Sequence, residues 1–93
     1  MEVKIEQAET KGAAHIEEGG NRIAEMTFSV ASAELIIIDH TEVNEAYKGK
    51  SLGRELLNAI VDKARTENFK IMPLCPFANS VFKKDESIRD VLN

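Results

Sequence analysis

The sequence predicts an α+β fold: a four-strand antiparallel meander, a crossover helix, a parallel fifth strand and short C-terminal helices. Three observations lead to this prediction. Polar and apolar residues alternate through much of the first 43 residues, as they do in half-buried strands. From Ser51 onward the apolar residues recur at helical spacing. A further apolar segment, residues 69–75, follows the helix, and a succession of strand, helix and strand is typical of a right-handed parallel βαβ unit.

The four meander strands are predicted at residues 2–6, 14–17, 22–30 and 35–43. Gly19 and Gly20 form a two-residue hairpin signal, because both central positions of such a turn can require positive φ. Residues 35–38 are apolar without interruption, which predicts a central strand covered on both faces.

The predicted crossover helix has one apolar stripe from Leu52 to Ala64, with Ser51 as its N-cap and an end near Asn68. Pro73 cannot donate a ladder hydrogen bond, so we expect the fifth strand to part from its neighbour near its end. Residues 77–82 have helical spacing, and we expect their apolar face to lie in the core. Asp85 is the expected cap of a last turn.

Composition limits the possible functions. At 93 residues the chain is expected to form a single domain, residues 1–93. A net charge of −4 argues against general binding to nucleic acid or anionic membranes. The single cysteine, Cys75, excludes an internal disulfide and a multi-cysteine zinc cluster, and we expect no metal. No apolar run could span a membrane. We therefore expect a cytoplasmic protein, and a monomer because no apolar face is left over.

Residues 43–54 are the most informative segment for chemistry. The chain leaves a buried strand, passes Gly49, Gly53 and the bases Lys48, Lys50 and Arg54, and enters a helix. Backbone N–H groups at a helix start lack intrahelical partners, and the helix dipole adds partial positive charge. Glycines let a ligand approach the backbone closely. The segment therefore predicts a phosphate or pyrophosphate site.

A P-loop is the first alternative for this site. Residues 49–51, Gly-Lys-Ser, match the end of that motif, but Asn44 occupies the position of its first glycine. We therefore reject the P-loop.

The segment resembles the coenzyme A loop of the GNAT superfamily of N-acetyltransferases. The superfamily pattern is matched at Val43, Tyr47, Gly49, Gly53, Leu56 and Leu57, with Lys48 in place of an arginine and Ser51 in place of the middle glycine. Residues 39–41, Asp-His-Thr, and 75–77, Cys-Pro-Phe, resemble the strand ends of a short bacterial GNAT-like subfamily. The resemblance is specific across residues 37–82 and implies a minimal GNAT-like fold.

The resemblance also implies acetyl-CoA as the acyl donor. The backbone of Thr41, Glu42 and Val43 would pair with the pantetheine arm. The pyrophosphate would be held by the loop amides of Lys48, Gly49, Lys50, Ser51, Leu52, Gly53 and Arg54. The acyl thioester would lie between the strands that end at Val43 and Cys75.

Two residues are the predicted catalytic groups. Cys75 lies beside the expected thioester and could take the acyl group and pass it on, although a lone cysteine at a strand end is also typical of a small core residue. His40 could act as the general base, or be a polar residue where a strand reaches solvent. Glu42 is a second candidate base and Tyr47 a candidate acid for the leaving thiolate, while His15 is interpreted as structural.

The predicted function is therefore acetyl transfer from acetyl-CoA to an unknown amine or thiol. The alternative is a module that binds or senses acetyl-CoA without turnover. The resemblance implies that the segments forming the acceptor pocket in full-length members are missing, which favours this alternative, whereas the expected position of Cys75 beside His40 favours the enzyme.

Overall fold

The computed structural model describes residues 2–93. In chain order the elements are β1 Lys4–Gln7, β2 Lys11–Glu18, β3 Asn21–Ser32, β4 Leu35–Val43, a 3-10 turn Glu45–Tyr47, α1 Leu52–Glu67, β5 Lys70–Pro73, α2 Pro76–Lys84 and a 3-10 segment Glu86–Val91. The sheet order is β1-β2-β3-β4-β5, with β4 and β5 parallel and the other pairs antiparallel. The predicted α+β meander, crossover helix and parallel fifth strand are confirmed.

Local sequence explains the ends of several elements. Gly19 and Gly20, at φ 60° and 82°, form the tight β2–β3 hairpin. β2 begins at Lys11, earlier than predicted, because backbone pairing with β3 does not need an alternating sequence. The side chain of Asp85 accepts a hydrogen bond from the Ser87 amide, which confirms the predicted cap.

The core lies between one face of the sheet and α1. Its strand residues are Ala14, Ile16, Ala24, Met26, Phe28, Ile36 and Ile38, and its α1 residues are Leu52, Leu56, Leu57, Ile60, Val61 and Ala64. Leu35 and Ile37 are only half-buried, because α1 packs on one face of β4. The prediction that residues 35–38 are covered on both faces was therefore too strong.

The first turn of α2 differs from the prediction. Ala78 and Phe82 are buried as expected, but Phe77 is 37% exposed. Phe77 lies over the start of α1 rather than in the core, since its ring contacts the backbone position of Gly53. The prediction that Phe77 is a core residue was wrong.

β4 and β5 separate near Pro73. Their pairing runs from Leu35 with Lys70 to Ile38 with Pro73, and β4 then continues alone on this side to Val43. The chain after Pro73 turns away into α2, leaving an opening at this end of the sheet. None of the helices formed by residues 2–93 has the length and apolar composition needed to cross a lipid bilayer.

Candidate functional site

The opening between β4 and β5 exposes one edge of β4. The Asn44 amide donates to the Ile23 carbonyl at 2.7 Å, which continues the antiparallel ladder with β3. Residues in such a ladder direct their backbone polar groups alternately toward and away from the partner strand. The N–H and C=O groups of Thr41 and Val43 therefore point away from β3, past the end of β5. An extended ligand could pair with them as an added strand.

A cavity of about 720 Å³ adjoins this edge. Its lining residues are Thr41, Glu42, Val43, Lys48, Gly49, Ser51, Leu52, Gly53, Arg54 and Phe77. The structure thus brings together all the residues that the resemblance assigns to the coenzyme except Lys50, whose side chain does not line the cavity. It adds Phe77, which sequence reasoning assigned to the core.

The loop entering α1 offers open backbone donors. Ser51 is the N-cap, as predicted, but it adopts a left-handed conformation at φ 61° and its side chain makes no capping hydrogen bond. The first N–H groups of α1 have no intrahelical acceptor either. Gly49 has φ 85°, and a Cβ built there would meet no atom of the described residues, 2–93, within 4 Å. This part of the cavity can therefore receive a phosphate group at the positive end of the helix dipole.

Two basic side chains of the cavity are held by acids. Lys48 Nζ lies 3.2 Å from Glu45 Oε1 on the exposed surface. The guanidinium of Arg54 pairs with the carboxylate of Asp85, which joins the start of α1 to the end of α2. Hydrogen bonds from Ser87 and Arg54 lower the pKa of Asp85 to about 2. Arg54 is therefore fixed beside the helix start at physiological pH.

Phe77 and Gly53 depend on each other. A Cβ added to Gly53 would lie 2.9 Å from Cζ of Phe77, closer than real Cβ atoms come to other carbons. The glycine therefore lets the far edge of the ring pack against the first turn of α1, where Phe77 lines the cavity. The position of Phe77, just after Cys-Pro at a helix start, was the available sequence signal.

The two predicted catalytic residues lie on opposite faces of the sheet. Cys75 is 3% exposed, and its Sγ lies 3.0 Å from Oγ1 of Thr41. His40 is exposed and pairs across the strands with Thr27. Successive side chains of a strand point to opposite faces, so Thr41 and Cys75 share the face of α1 while His40 projects from the other. The two residues line no common pocket.

Of the other two catalytic candidates, Glu42 lines the cavity and Tyr47 does not. Glu42 is exposed and lines the cavity. Tyr47 is half-buried and directed toward Glu18 of the β2–β3 hairpin, and partial burial and this carboxylate raise the pKa of the phenol. Tyr47 does not line the cavity, so its contacts are those of a packing residue.

His15 has partners that the sequence did not suggest. It is 2% exposed, and its Nε2 lies 2.8 Å from Oε1 of Glu6, which also meets Arg22 at 3.3 Å. Its other ring nitrogen, Nδ1, is buried without a hydrogen bond to any of residues 2–93. The ring therefore ties β2 to β1 on the face opposite α1.

The comparison with protein families identifies the chain. The family model described as GCN5-related N-acetyl-transferase matches residues 13–91, so the chain belongs to this family. No curated protein matches the chain. The resemblance found in the sequence is thus confirmed.

Solved structures agree with this assignment. A GCN5-like protein from Staphylococcus aureus is 36% identical over 97% of this chain and 87% of its own, with a TM-score of 0.72. The ribosomal-protein-alanine N-acetyltransferase of Brucella melitensis biovar Abortus shares the fold at 18% identity and a TM-score of 0.69, over 83% of this chain and 62% of that one. The present chain therefore spans less than two thirds of the Brucella enzyme.

A structure with coenzyme A also shares the fold. An aminoglycoside N-acetyltransferase in complex with CoA has a TM-score of 0.58 and 11% identity, over 87% of this chain and 68% of that one.

Proposed function

We propose that the protein binds acetyl-CoA in the cavity between β4, α1 and Phe77 and transfers the acetyl group to an amine or thiol. The observation that carries this proposal is the meeting of an unpaired β4 edge with the uncapped start of α1 in one cavity. A coenzyme A thioester has an amide-bearing arm for the first and a pyrophosphate for the second.

Each part of the cavity has its own role in binding. The backbone of Thr41 and Val43 pairs with the amides of the pantetheine arm. The amides of Leu52, Gly53 and Arg54 hold the pyrophosphate at the helix start. Phe77 closes the side of the cavity that faces α2. The arm then enters the opening where β5 has ended, which brings the thioester to the level of Cys75.

Acetyl-CoA supplies an activated thioester to this site. In direct transfer, His40 accepts a proton from the acceptor ammonium, and the acceptor nitrogen forms a bond to the acetyl carbon. The carbon–sulfur bond of the thioester breaks, the acylated nitrogen loses its second proton to solvent, and the coenzyme thiolate leaves and takes up a proton from solvent. The exposed position of His40 supports this route, because the acceptor can reach it from solvent.

In the relay, Cys75 takes the acetyl group first. Its sulfur forms the bond to the acetyl carbon as the bond to the coenzyme sulfur breaks, and the thiol proton passes to the departing thiolate. The acceptor then displaces the cysteine sulfur, which regains a proton. The contact of Sγ with Thr41, at the β4 edge, supports this route.

A non-catalytic acetyl-CoA sensor is the second candidate. The burial of Cys75 and its separation from His40 by the sheet favour it. The Cys75→Ala variant separates the candidates. An enzyme of the relay type loses acetyl labelling by intact mass and still binds coenzyme, whereas a sensor shows no labelling before or after the change. The direct route is recognised by turnover that survives Cys75→Ala and falls in His40→Ala.

An NMR titration with acetyl-CoA tests the binding site itself. We expect saturable shifts confined to the amides of residues 41–43, 48–54 and 75. A matched pair of variants compares the same substitution inside and outside the site. Arg54→Gln removes a charge that lines the cavity, and Arg65→Gln removes one at the far end of α1. Weaker binding only in Arg54→Gln supports the site. Unmoved amides at millimolar acetyl-CoA would refute the proposal.

A further inference from the structure

A second groove lies on the face of the sheet opposite α1. Its volume is about 820 Å³, and its lining comes from β1, the β1–β2 turn, β2, β3 and β4. One row of facing residues crosses the sheet as Glu6, Ala13, Thr27 and His40, each opposite the next in the strand register. The small side chain of Ala13 leaves the floor of the groove low at its centre.

Two opposite charges lie on either side of Ser29 on this face of the sheet. Lys11 lies opposite Ser29, and the Ser29 hydroxyl donates to Oδ2 of Asp39 at 2.7 Å. Adjacent strands are about 4.8 Å apart, and Asp39 lies two residues along β4 from Ile37, the register partner of Ser29, so the Cα atoms of Lys11 and Asp39 are separated by at least roughly 10 Å. Among the ion pairs of residues 2–93, none includes Lys11 or Asp39. Both charges therefore remain available to a ligand.

A bulge in β4 aims the acidic end of the groove at the opening between β4 and β5. Ile38 pairs with Phe28 and His40 with Thr27, so Asp39 is the extra residue. Asp39 and His40 both line the groove as a result. They lie on β4 between Ile38, where pairing with β5 ends, and Thr41, where the exposed edge begins. A ligand at this end is therefore next to the site proposed for the thioester.

The opposite end is held in place by the β1–β2 turn. The amide of Ala8 donates to the Lys11 carbonyl and the amide of Val30 to the Thr10 carbonyl, both at 2.8 Å. Glu6, on the side of the groove, is already engaged by His15 and Arg22. Two charged groups of the groove are thus free to bind a ligand: the carboxylate of Asp39, beside His40, and the ammonium of Lys11, at the turn.

We propose that this groove binds the acceptor, and that the acceptor is a small primary amine that also carries a carboxylate. Its ammonium group lies against Asp39 and delivers its proton to His40, while its carboxylate meets Lys11. A groove with opposite charges at its two ends complements a zwitterion better than a simple amine or a simple acid. The inference rests on the proposed acetyl transfer for the role of the ligand but not for its binding.

Three probes of equal chain length test the groove without coenzyme: 5-aminopentanoate, pentylamine and pentanoate. We expect saturable NMR shifts of the amides of residues 11–13, 27–29 and 39–40 with 5-aminopentanoate. Each single-charge probe should bind roughly two- to fivefold more weakly, the range expected for losing one solvent-accessible ion pair. Equal binding of pentylamine would overturn the carboxylate-bearing acceptor. Shifts outside the groove, or no binding by any probe, would overturn the site.

Charge-removing variants assign each end of the ligand. Asp39→Asn keeps an acceptor for Ser29 and should abolish the advantage of 5-aminopentanoate over pentanoate. Lys11→Met keeps the aliphatic stem and should abolish its advantage over pentylamine. Asp62→Asn and Lys83→Met remove the same charges elsewhere and should leave all three affinities unchanged. Equal weakening by the control variants would overturn the proposal.

Failure here and failure of the proposed function are distinguishable. The acetyl-CoA titration reports on residues 41–43 and 48–54, and the acceptor titration on residues of the opposite face. Binding of acetyl-CoA with no binding of the zwitterion would overturn the acceptor site alone. If the zwitterion binds but acetyl-CoA does not, the result would support the groove and refute acetyl transfer.

Discussion

Replacing Ser51 with glycine should stabilise the protein. Ser51 is exposed, lies at φ 61° and ψ 26°, and makes no side-chain capping bond, so the substitution removes no contact that holds the helix. A non-glycine residue in the left-handed region costs about 1–2 kcal/mol. Glycine also makes the unfolded chain more flexible, and this effect lowers the free energy of unfolding by about 0.4–1 kcal/mol. The expected net gain in the free energy of unfolding is about 0.5–1 kcal/mol.

Thermal and urea unfolding of Ser51→Gly measure this gain. For a domain of this size, 1 kcal/mol corresponds to roughly 4–8 °C, so the expected rise in Tm is about 2–8 °C. Asn68→Gly is the matched control, because Asn68 caps the other end of α1 at φ 58°. Asparagine tolerates the left-handed region better than serine, so its replacement should change stability less. A Tm for Ser51→Gly at or below that of the wild type would refute the reasoning.

Three further substitutions test other parts of the structure. Gly12→Ala would bring a Cβ into the ring of the buried Phe28 and within 2.7 Å of the Glu6 carbonyl oxygen, and should cost about 1–3 kcal/mol of unfolding free energy in urea, of which Phe28→Leu should restore the part due to the ring. Gly49→Ala meets no neighbour but keeps φ at 85°, so it should cost about 1 kcal/mol through strain alone, and an unchanged urea midpoint would contradict this. The pKa of Asp85, lowered from 3.8 to about 2, contributes stability that is fully present above pH 4 and lost as pH falls toward 2. Tm measured from pH 5 to pH 2 should therefore fall less steeply in Asp85→Asn than in the wild type.

Local patterns were sufficient to predict the elements and their order. Alternation in the first 43 residues and the helical stripe from Leu52 to Ala64 reflect burial of one face, which depends only on spacing along the chain. Pro73 marked the end of β5 because its missing N–H acts at that one position. The glycine loop was recognisable for the same reason, since its signal lies in consecutive residues.

Relations across the sheet could not be read from spacing alone. Phe77 seemed a core residue by helical periodicity, but it lies over Gly53, more than 20 residues away in sequence. Cys75 and His40 were both predicted as catalytic groups, yet Cys75 contacts Thr41, whose side chain and that of His40 project from opposite faces of β4. The bulge at Asp39 places Asp39 and His40 on the same face, and the sequence around it contains no glycine that would indicate a bulge.

The sequence by itself therefore determined the α+β order, the family and the loop that begins α1, because each is encoded by neighbouring residues or by their period. The tertiary structure decided where each side chain lies: Phe77 in the cavity between β4 and α1, Cys75 on the α1 face, and Asp39, His40 and Lys11 in a groove on the opposite face. These placements depend on strand register, which is set when distant segments pair. A shift of one residue in that pairing would reverse every assignment.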